Sequence, residues 1–352
     1  MKKNLPLIIL GVLLVAGSIY ALFLFNSEES GLAEEGLSNF EIKDTAQVDK
    51  IVITEKDMGS ITLLRQKGEW IIESSGEKAQ PYNVNLILET AYQIQVKQSL
   101  SEDAKENVIQ QLSVRHKKVE YYFNGEDEPQ KIWYVGGPTN DHMGTYMLLE
   151  VRDATTGKMT RSPEPYIMHK PGVYGTLDTR YFIEETEWKF PGVFIYKPGE
   201  IAEVKVENHQ HPEESYKVEV TPQGKVKLLN WDNSPVVKFD SSGVKHFVSH
   251  YTDIYYEGEA KHLSSEQQDS ILASIPLYTL TITDIVGTKT EAKVWDNYNN
   301  TETGGLAVDI GRGLCSVNGS KSLVKVQYYS WDVLMKPKSY FLPKQQVDYQ
   351  FQ

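Results

Sequence analysis

Alternating hydrophobic and polar positions occur in two stretches of the chain, at residues 48–72 and 201–231. In the first, Ile51 and Ile53 alternate with polar residues, and Ile61 and Leu63 continue the alternation after a turn. The second repeats the pattern with Val204, Val206, Tyr216, Val218, Val220, Val226 and Leu228. Period-two alternation is typical of strands with one buried face. The pattern therefore predicts the same β-hairpin twice.

An apolar helical stripe follows each hairpin, and the two stripes match position by position. The first stripe consists of Val84, Ile87, Leu88, Ala91 and Ile94. The second, 160 residues later, consists of Val244, Phe247, Val248, Tyr251 and Ile254. A helix with one apolar face packs that face against a sheet. We therefore expect one helix on each sheet.

A second helix is predicted in each half, from SEDAKENVIQQL and SSEQQDSILASI. Ser264 and Gln267 form a capping-box pattern, and Pro276 ends the second of these helices. Matching segments follow: VEYYF (119–123) with LTITD (280–284), KIWYV (131–135) with AKVWD (292–296), and YIMHKPGVYGTL (166–177) with DVLMKPKSYFLP (332–343). The order predicts an α+β fold in which two tandem duplicated domains, 40–192 and 193–352, each contain an antiparallel β-sheet with packed helices.

An uncharged apolar run extends from Leu5 to Phe25, after Lys2 and Lys3. As a helix its 21 residues would span about 31 Å, the hydrocarbon thickness of a bilayer. The lysines before the run favour a cytoplasmic N-terminus. We expect residues 1–25 to form a signal anchor, a single transmembrane helix in a bacterial inner membrane. Residues 26–39 would then form an acidic flexible tether, and the domains would lie in the periplasm.

A cleaved signal peptide is the alternative interpretation of the N-terminus. Ala16-Gly17-Ser18 offers a small-residue cleavage site. Cleavage there would leave IYALFLF exposed at the new N-terminus, which disfavours this alternative. No cysteine follows the apolar run, so lipoprotein processing is excluded.

Composition and charge narrow the classes of partner. The chain is 40% hydrophobic and 24% charged, with 21 Tyr, as expected for a folded, β-rich protein. After residue 25 it contains 34 Lys and Arg against 48 Asp and Glu, a net charge of −14. Such a surface repels phosphate backbones, so we expect no nucleic-acid partner. Cys315 has no second cysteine to pair with, and we expect it to be a buried thiol at a strand edge or turn.

The order of several motifs resembles the DUF4340 family, which consists of membrane-anchored bacterial proteins frequent in Bacteroidota. These motifs are NFEIKDTAQVDKIVI, LLRQKGEW, YVGGPTNDHMGTYMLLE and RYFIEETEWKFPGVFIYKPGEIAEV. The resemblance is clearest from Phe40 to about Ser215. It implies extracytoplasmic domains behind an N-terminal helix, and some relatives accompany ABC-type or gliding-associated membrane components. The family supplies no catalytic residues to transfer to this chain.

The segment VGGPTNDHMGTYMLLE is the first candidate site. Gly136, Gly137 and Gly144 would let a ligand approach the backbone, with Asp141 and His142 beside it. The alternative is a tight turn, in which glycine supplies a positive φ. The segment lacks the spacing of a phosphate-binding or dinucleotide-binding loop. We favour the turn, with partner contact rather than catalysis as any further role.

Two other segments are candidates for binding. His209, His211, Glu213 and Glu214 offer metal-ligand side chains, but they fall at a predicted hairpin tip, so we expect no metal site. A dense aromatic run between the two domains either joins them or forms a docking surface, and we favour the first of these interpretations. Its members are Tyr181, Phe182, Trp188, Phe190, Phe194 and Tyr196.

The sequence therefore predicts a non-enzymatic accessory or scaffold subunit of a membrane protein assembly, without a cofactor. Its candidate interaction surface consists of Gly136, Gly137, Asp141, His142, Tyr181, Phe182 and Trp188. Its expected partners are membrane proteins of an inner-membrane assembly. The alternative is an extracytoplasmic ligand-binding or hydrolytic protein with a site in the cleft between the two domains.

Overall fold

The computed structural model describes residues 36–153, 155–300 and 304–343. The chain divides into an N-terminal unit that ends at Phe190 and a C-terminal unit that begins at Pro191. Both units are α+β, and their strands pair antiparallel. The predicted anchor Leu5–Phe25 lies outside the described residues. Within the described ranges, no helix has the length and apolar character needed to span a bilayer.

The N-terminal unit contains nine strands among its described residues. They are β1 Val48–Glu55, β2 Gly59–Gln66, β3 Glu69–Ile72, β4 Gln95–Ser99, β5 Lys117–Phe123, β6 Lys131–Pro138, β7 Thr145–Arg152, β8 Met159–Arg161 and β9 Tyr166–His169. The α-helices are α1 Pro81–Gln93, α2 Glu102–Val114 and α3 Glu185–Trp188. The strands form one sheet in the order β3-β2-β1-β5-β6-β7-β9-β4, and β8 pairs with β7.

The C-terminal unit contains β10 Gly192–Phe194, β11 Ile201–Asn208, β12 Tyr216–Val220, β13 Val226–Asn230, β14 Ile254–Tyr255, β15 Gly258–Glu259, β16 Tyr278–Asp284, β17 Lys289–Asn300, β18 Leu306–Val317 and β19 Val324–Gln327. Its α-helices are α4 Ser241–Ser249, α5 Ser265–Ala273 and α6 Tyr328–Trp331. The large sheet has the order β13-β12-β11-β16-β17-β18-β19-β15, and β10 pairs separately with β14. The capping box predicted at Ser264 and Gln267 is present at the start of α5.

The two large sheets have the same strand order. When β1 is matched to β11, the series β3-β2-β1-β5-β6-β7-β9-β4 corresponds strand by strand to the series in the C-terminal unit. The registers agree as well, because Ile53 pairs with Ile61 and Val119, while Val206 pairs with Tyr216 and Leu280. The two hairpins, β1–β2 and β11–β12, therefore occupy equivalent positions in the two large sheets.

Two of the sequence matches are wrong in detail. Trp133 pairs with Val119 and Ala292 pairs with Leu280, so Trp133 corresponds to Ala292, two residues from the predicted match. A shift of two preserves the inward and outward alternation of a strand, so the hydrophobic pattern alone does not distinguish these registers. The second error concerns residues 166–177 and 332–343, because β9 occupies the place of β19 rather than that of the segment after it.

The helical stripes cover one face of each sheet. In α1 the buried positions include Val84, Ile87, Leu88 and Ala91, which belong to the same core cluster as Ile51 and Trp133. In α4, Val244 and Phe247 are buried within the corresponding core of the C-terminal unit. One amphipathic helix on a sheet is thus the basic packing of both units.

The second helix of each unit covers the other face. Val108 and Leu112 of α2 pack with Ile167, Tyr146 and Leu148 in a separate cluster. Tyr146 and Leu148 alternate along β7 with Met147 and Leu149, which belong to the main core, so the two clusters lie on opposite faces. Beside α5 the matching cluster contains Trp295, Leu314 and Leu323. Each unit is therefore a three-layer helix–sheet–helix structure.

Candidate functional site

The turn between β6 and β7 contains the glycine-rich segment. Asp141 organises this turn, since its carboxylate accepts hydrogen bonds from the Thr139 hydroxyl and, at 3.0 Å, from the Met143 N–H. These two bonds, the Thr139 bond foremost, lower the pKa of Asp141 below its ordinary value. His142 is exposed and has a φ of 54°. Asp141 therefore stabilises a tight turn, in which His142 adopts the left-handed conformation.

Two of the glycines are required by close packing. A Cβ at Gly136 would lie 2.6 Å from Leu112 Cδ2 and 3.0 Å from the Tyr146 carbonyl oxygen. A Cβ at Gly144 would lie 2.5 Å from Cγ2 of Ile167. At Gly137, in contrast, a Cβ would meet no atom within 4 Å. Gly136 thus lets α2 approach β6 closely, while Gly137 leaves open space beside it.

That open space belongs to a groove of about 630 Å³ at the C-terminal end of α2, which we call the α2 groove. Its walls include Asn107, Gln111, Arg115, Lys117, Gly137 and Asp178. Asp141 does not line this groove, but it lines a separate cavity of about 230 Å³ with Lys97 and Thr139. The candidate residues of the glycine-rich segment are therefore divided between two sites.

The α2 groove contains cations without an acidic partner. No carboxylate of the described residues lies within 4 Å of the Arg115 guanidinium or the Lys117 ammonium. The Lys117 ammonium donates instead to the Asp178 carbonyl at 3.3 Å. The Oδ1 atom of Asp178 is buried and, among the described residues, receives no hydrogen bond. A buried acceptor of this kind is costly unless a donor reaches it.

His116 lies just after α2, and its ring contacts both the helix and β6. Its Nδ1 lies 2.6 Å from the Leu112 carbonyl oxygen, so this nitrogen carries the proton and donates. Its ring meets the Tyr134 ring edge to face, with centroids 5.2 Å apart. These contacts give His116 a structural role at the end of α2.

The burial of Tyr181 and Trp188 contradicts their place in the predicted interaction surface. Tyr181 and Trp188 have no exposed surface and belong to the core of the N-terminal unit. Phe182, partly buried, stacks on Trp188 with centroids 4.5 Å apart, and Phe194 is buried in the core of the C-terminal unit. Each aromatic side chain has a large apolar surface, and burying that surface contributes strongly to the stability of a core. Tyr181 and Trp188 are therefore not docking residues.

Hydrogen bonds fix the histidine-rich tip between β11 and β12, residues 208–214. His209 Nε2 lies 2.9 Å from Thr279 Oγ1, and Glu214 accepts from the backbone N–H of Ser339 at 2.8 Å. Asn208 organises the tip, since its Oδ1 accepts from the N–H groups of Gln210 and His211. Across residues 36–343, leaving aside the undescribed positions, no group of three or more His, Cys, Asp and Glu side chains is arranged to hold a metal ion.

The longest hairpin, β17–β18, extends beyond its sheet. In the N-terminal unit Val135 pairs with Met147, twelve positions later. In the C-terminal unit the corresponding Val294 pairs with Cys315, twenty-one positions later. Nine additional residues therefore lengthen this hairpin. We define its outer part, residues 296–300 and 306–311, as the β-arm.

Both edges of the β-arm lack a neighbouring strand among the described residues. β16 pairs with β17 only up to Val294, and β19 pairs with β18 only from Arg312 to Cys315. The arm strands pair with each other through Tyr298–Val308, Asn299–Ala307 and Asn300–Leu306. Unpaired backbone groups on an edge strand are a template for pairing with another chain.

The β-arm also exposes large apolar side chains. The exposed fractions are 93% for Ile310, 71% for Leu306, 50% for Tyr298 and 46% for Val308. A bulge lies at the base of the arm, because the register shifts between Asp296 and Tyr298. Asp309 stabilises the bulge by accepting from the N–H groups of Gly311 and Arg312. The described residues of the arm thus expose an apolar surface beyond the paired part of the sheet.

The sequence interpretation missed the β-arm. The register shift of β18 falls at residues 309–312, within the glycine-containing stretch DIGRG. Cys315 lies inside the ladder, paired with Val294 and Val324, rather than at a strand edge or turn. The nine-residue difference between the two hairpins was present in the sequence and would have located the arm.

Comparison with known proteins adds no relative. No family model matches the chain, and neither a curated protein nor a solved structure matches it.

Proposed function

We propose that this chain is a non-enzymatic accessory or scaffold subunit of a membrane protein assembly. In this proposal Leu5–Phe25 anchors it in a bacterial inner membrane, and both units lie in the periplasm. In the same proposal the expected resemblance to the DUF4340 family would place the chain beside an ABC-type transporter or a gliding-related complex. The two units arise, in the same proposal, from duplication of one α+β domain, which the common strand order supports.

The observation that carries the proposal is the β-arm. A two-stranded ribbon has little stability in water on its own, and exposed apolar edge strands favour pairing with other chains. Leu306, at the outermost pair of the ribbon, and Ile310, in the bulge at its base, keep most of their surface exposed. Addition of a partner strand would pair the free backbone groups and bury these side chains. The arm therefore suits a contact with an extended segment of a partner protein.

The arm belongs only to the C-terminal unit. Its counterpart in the N-terminal unit is the short turn at Pro138–Thr145, which Asp141 stabilises. Duplication followed by lengthening of one hairpin would give two similar domains, of which the C-terminal one carries a docking element. This asymmetry supports a scaffold with a single oriented partner contact.

Affinity capture from native membranes tests this function. The tagged wild-type protein is expected to recover the same integral membrane proteins in repeated experiments. Leu306→Ser combined with Ile310→Ser, which keeps the arm's backbone and removes its apolar surface, is expected to lose them. Val286→Ser with Ile285→Ser is the matched control, since these residues are also exposed, at 81% and 65%, but lie on a different hairpin. Recovery that is equal for the arm variant and the wild type would contradict the proposal.

A further inference from the structure

Two histidines lie one helical turn apart at the C-terminal end of α4. His246 belongs to α4, and His250 follows its last residue with helical backbone angles, φ −70° and ψ −17°. Residues four positions apart lie on the same face of a helix. The two imidazole centroids are 4.6 Å apart, and the ring planes are inclined at 66°. The backbone therefore presents two neighbouring imidazoles on one face.

The distance between the two rings suits a shared metal ion. With metal–nitrogen bonds of about 2.0–2.1 Å and ring centres about 1.1 Å farther on, two imidazoles at tetrahedral or octahedral angles have centroids about 4.4–5.2 Å apart. The observed 4.6 Å lies within this interval. His246 is exposed and His250 is half-buried, so the His246 ring is able to turn toward a shared ion without displacing a core side chain.

The ring nitrogens of this pair have no protein partner within the described residues. His116, His209 and His262 each place a ring nitrogen in a hydrogen bond. Across 36–153, 155–300 and 304–343, no hydrogen bond involves a ring nitrogen of His246 or His250. Both imidazoles thus keep a nitrogen lone pair for an external ligand.

The surroundings of the pair favour the neutral form of His250. Burial, foremost, and then the nearby positive charges of His246 and Lys336 lower the pKa of His250. A metal ion binds the neutral imidazole rather than the imidazolium. The same Lys336 ammonium repels a bound cation, so it weakens metal binding without preventing it.

We propose that His246 and His250 form a binding site for a divalent late first-row transition-metal ion, the class that contains Ni²⁺, Cu²⁺ and Zn²⁺. Each imidazole would supply one nitrogen. Water would complete the coordination, since the described part of the chain has no group of three His, Cys, Asp or Glu side chains that would hold an ion. Imidazole nitrogen suits these metals, whereas Mg²⁺ and Ca²⁺ prefer oxygen ligands.

The site has a structural rather than a catalytic character. Two histidines four apart on a helix are also the zinc ligands of the metalloprotease pattern His-Glu-x-x-His, in which the glutamate is the general base. Here the residue after His246 is Phe247, which is buried in the core of the C-terminal unit. A bound ion would join α4 to the 3-10 turn His250–Thr252 that follows it. It would therefore stabilise the end of the helix that covers the sheet.

Isothermal titration calorimetry with NiCl₂ on the detergent-solubilised full chain, without a histidine tag, tests the site. We expect one bound ion per chain, tighter binding of CuCl₂ and no binding of MgCl₂, as the ligand type predicts. Amide exchange in α4 through openings that break the site is expected to slow about a hundredfold when the metal concentration is 100 times Kd. Absence of Ni²⁺ binding, or protection that excludes α4, would overturn the proposal.

Variants distinguish this pair from other histidines. His246→Gln is expected to lower Ni²⁺ affinity at least about tenfold, because a single imidazole remains, and the fold is retained because His246 is exposed. Lys336→Gln is expected to raise affinity severalfold by removing a like charge. His142→Gln with His211→Gln, at exposed positions outside α4, is the matched control and leaves affinity unchanged. Equal affinities of His246→Gln and the wild type would contradict the site.

Discussion

The backbone N–H of Gln80 donates to the carbonyl oxygen of Trp188 at 2.6 Å. This bond ties the final helix of the N-terminal unit to the residue before α1. In the C-terminal unit Asp240, the residue before α4, donates in the same way to Phe341 at 2.8 Å. In both units, therefore, a backbone hydrogen bond joins the residue before the first helix to a buried aromatic residue near the end of the unit.

The two helix starts are capped differently, which predicts unequal mutational effects. The Asp240 side chain accepts from the N–H groups of Ser242 and Gly243, whereas the Gln80 side chain forms no cap. Asp240→Ala is expected to destabilise α4 by about 1 kcal/mol, the usual loss of a cap. Gln80→Ala is expected to change α1 by less than half of that. Amide hydrogen exchange of the two helices measures both, and equal effects would contradict the assignment.

Alanine substitutions at the neighbouring glycines Gly136 and Gly137 are expected to have unequal effects on stability. Gly136→Ala is expected to destabilise the N-terminal unit by about 1–3 kcal/mol, because its Cβ would overlap Leu112 in a packed cluster. Gly137→Ala is expected to lie within about 0.5 kcal/mol of the wild type, as for other surface positions. Urea unfolding followed by fluorotryptophan NMR at Trp133 gives the free energies of unfolding. Equal losses would show that α2 does not approach β6 as described.

The hydrophobic pattern predicted the repeated hairpins and the helix that follows each of them, but not the edge strands β4 and β15 or the length of β18. Ile51, Val84 and Val244 are buried as their periodicity indicates. The apolar patterns of SEDAKENVIQQL and SSEQQDSILASI also include Ile109 and Ile275, but these side chains are 45% and 80% exposed. Ile109 lies on the exposed part of α2, and Ile275 lies beyond Ala273, where α5 ends. Periodicity indicates a helical face, but it does not indicate how far the opposing layer extends.

The α2 groove and the β-arm both depend on how separate segments are arranged in space, which the hydrophobic pattern of a single strand does not reveal. The α2 groove is lined by residues that lie far apart in the sequence, among them Glu55, Arg115, Gly137 and Asp178. The β-arm results from strands that end earlier than their neighbours. Conversely, the aromatic run that contains Tyr181 and Trp188 was expected to join the two domains or to form a docking surface, whereas both side chains lie in the core of the N-terminal unit.

The Glu89–Lys170 ion pair predicts a pH dependence. Lys170 is buried, and its ammonium lies 2.8 Å from Glu89 Oε1. The hydrogen bond from Lys170 lowers the pKa of Glu89, so the pair's contribution is complete above the unfolded-state pKa of about 4.3. It is lost as the pH falls through the lower folded-state value.

Glu89→Gln is therefore expected to destabilise the N-terminal unit more at pH 7 than at pH 3. The urea midpoint reported by Trp133 measures this difference. Glu106→Gln, on the exposed surface of α2, is the control and is expected to have little effect at either pH. A Glu89→Gln effect that did not change with pH would contradict the ion pair.

Cys315 is predicted to be unreactive in the folded protein. Its side chain has no exposed surface, and burial raises the pKa of its thiol. A disulfide reagent is expected to modify it only after unfolding, with a rate that follows urea concentration. Rapid modification of the native protein at pH 8 would show that β18 opens or is not paired as described.

Site-specific photo-crosslinking from the β-arm tests the proposed docking function most directly. A photoreactive residue at Ile310, which is 93% exposed, is expected to crosslink in native membranes to one discrete integral membrane protein. The same residue at Tyr329, which is 95% exposed outside the arm, is expected to give no such product. Crosslinks of equal pattern from both positions, or none from Ile310, would contradict a docking role for the arm.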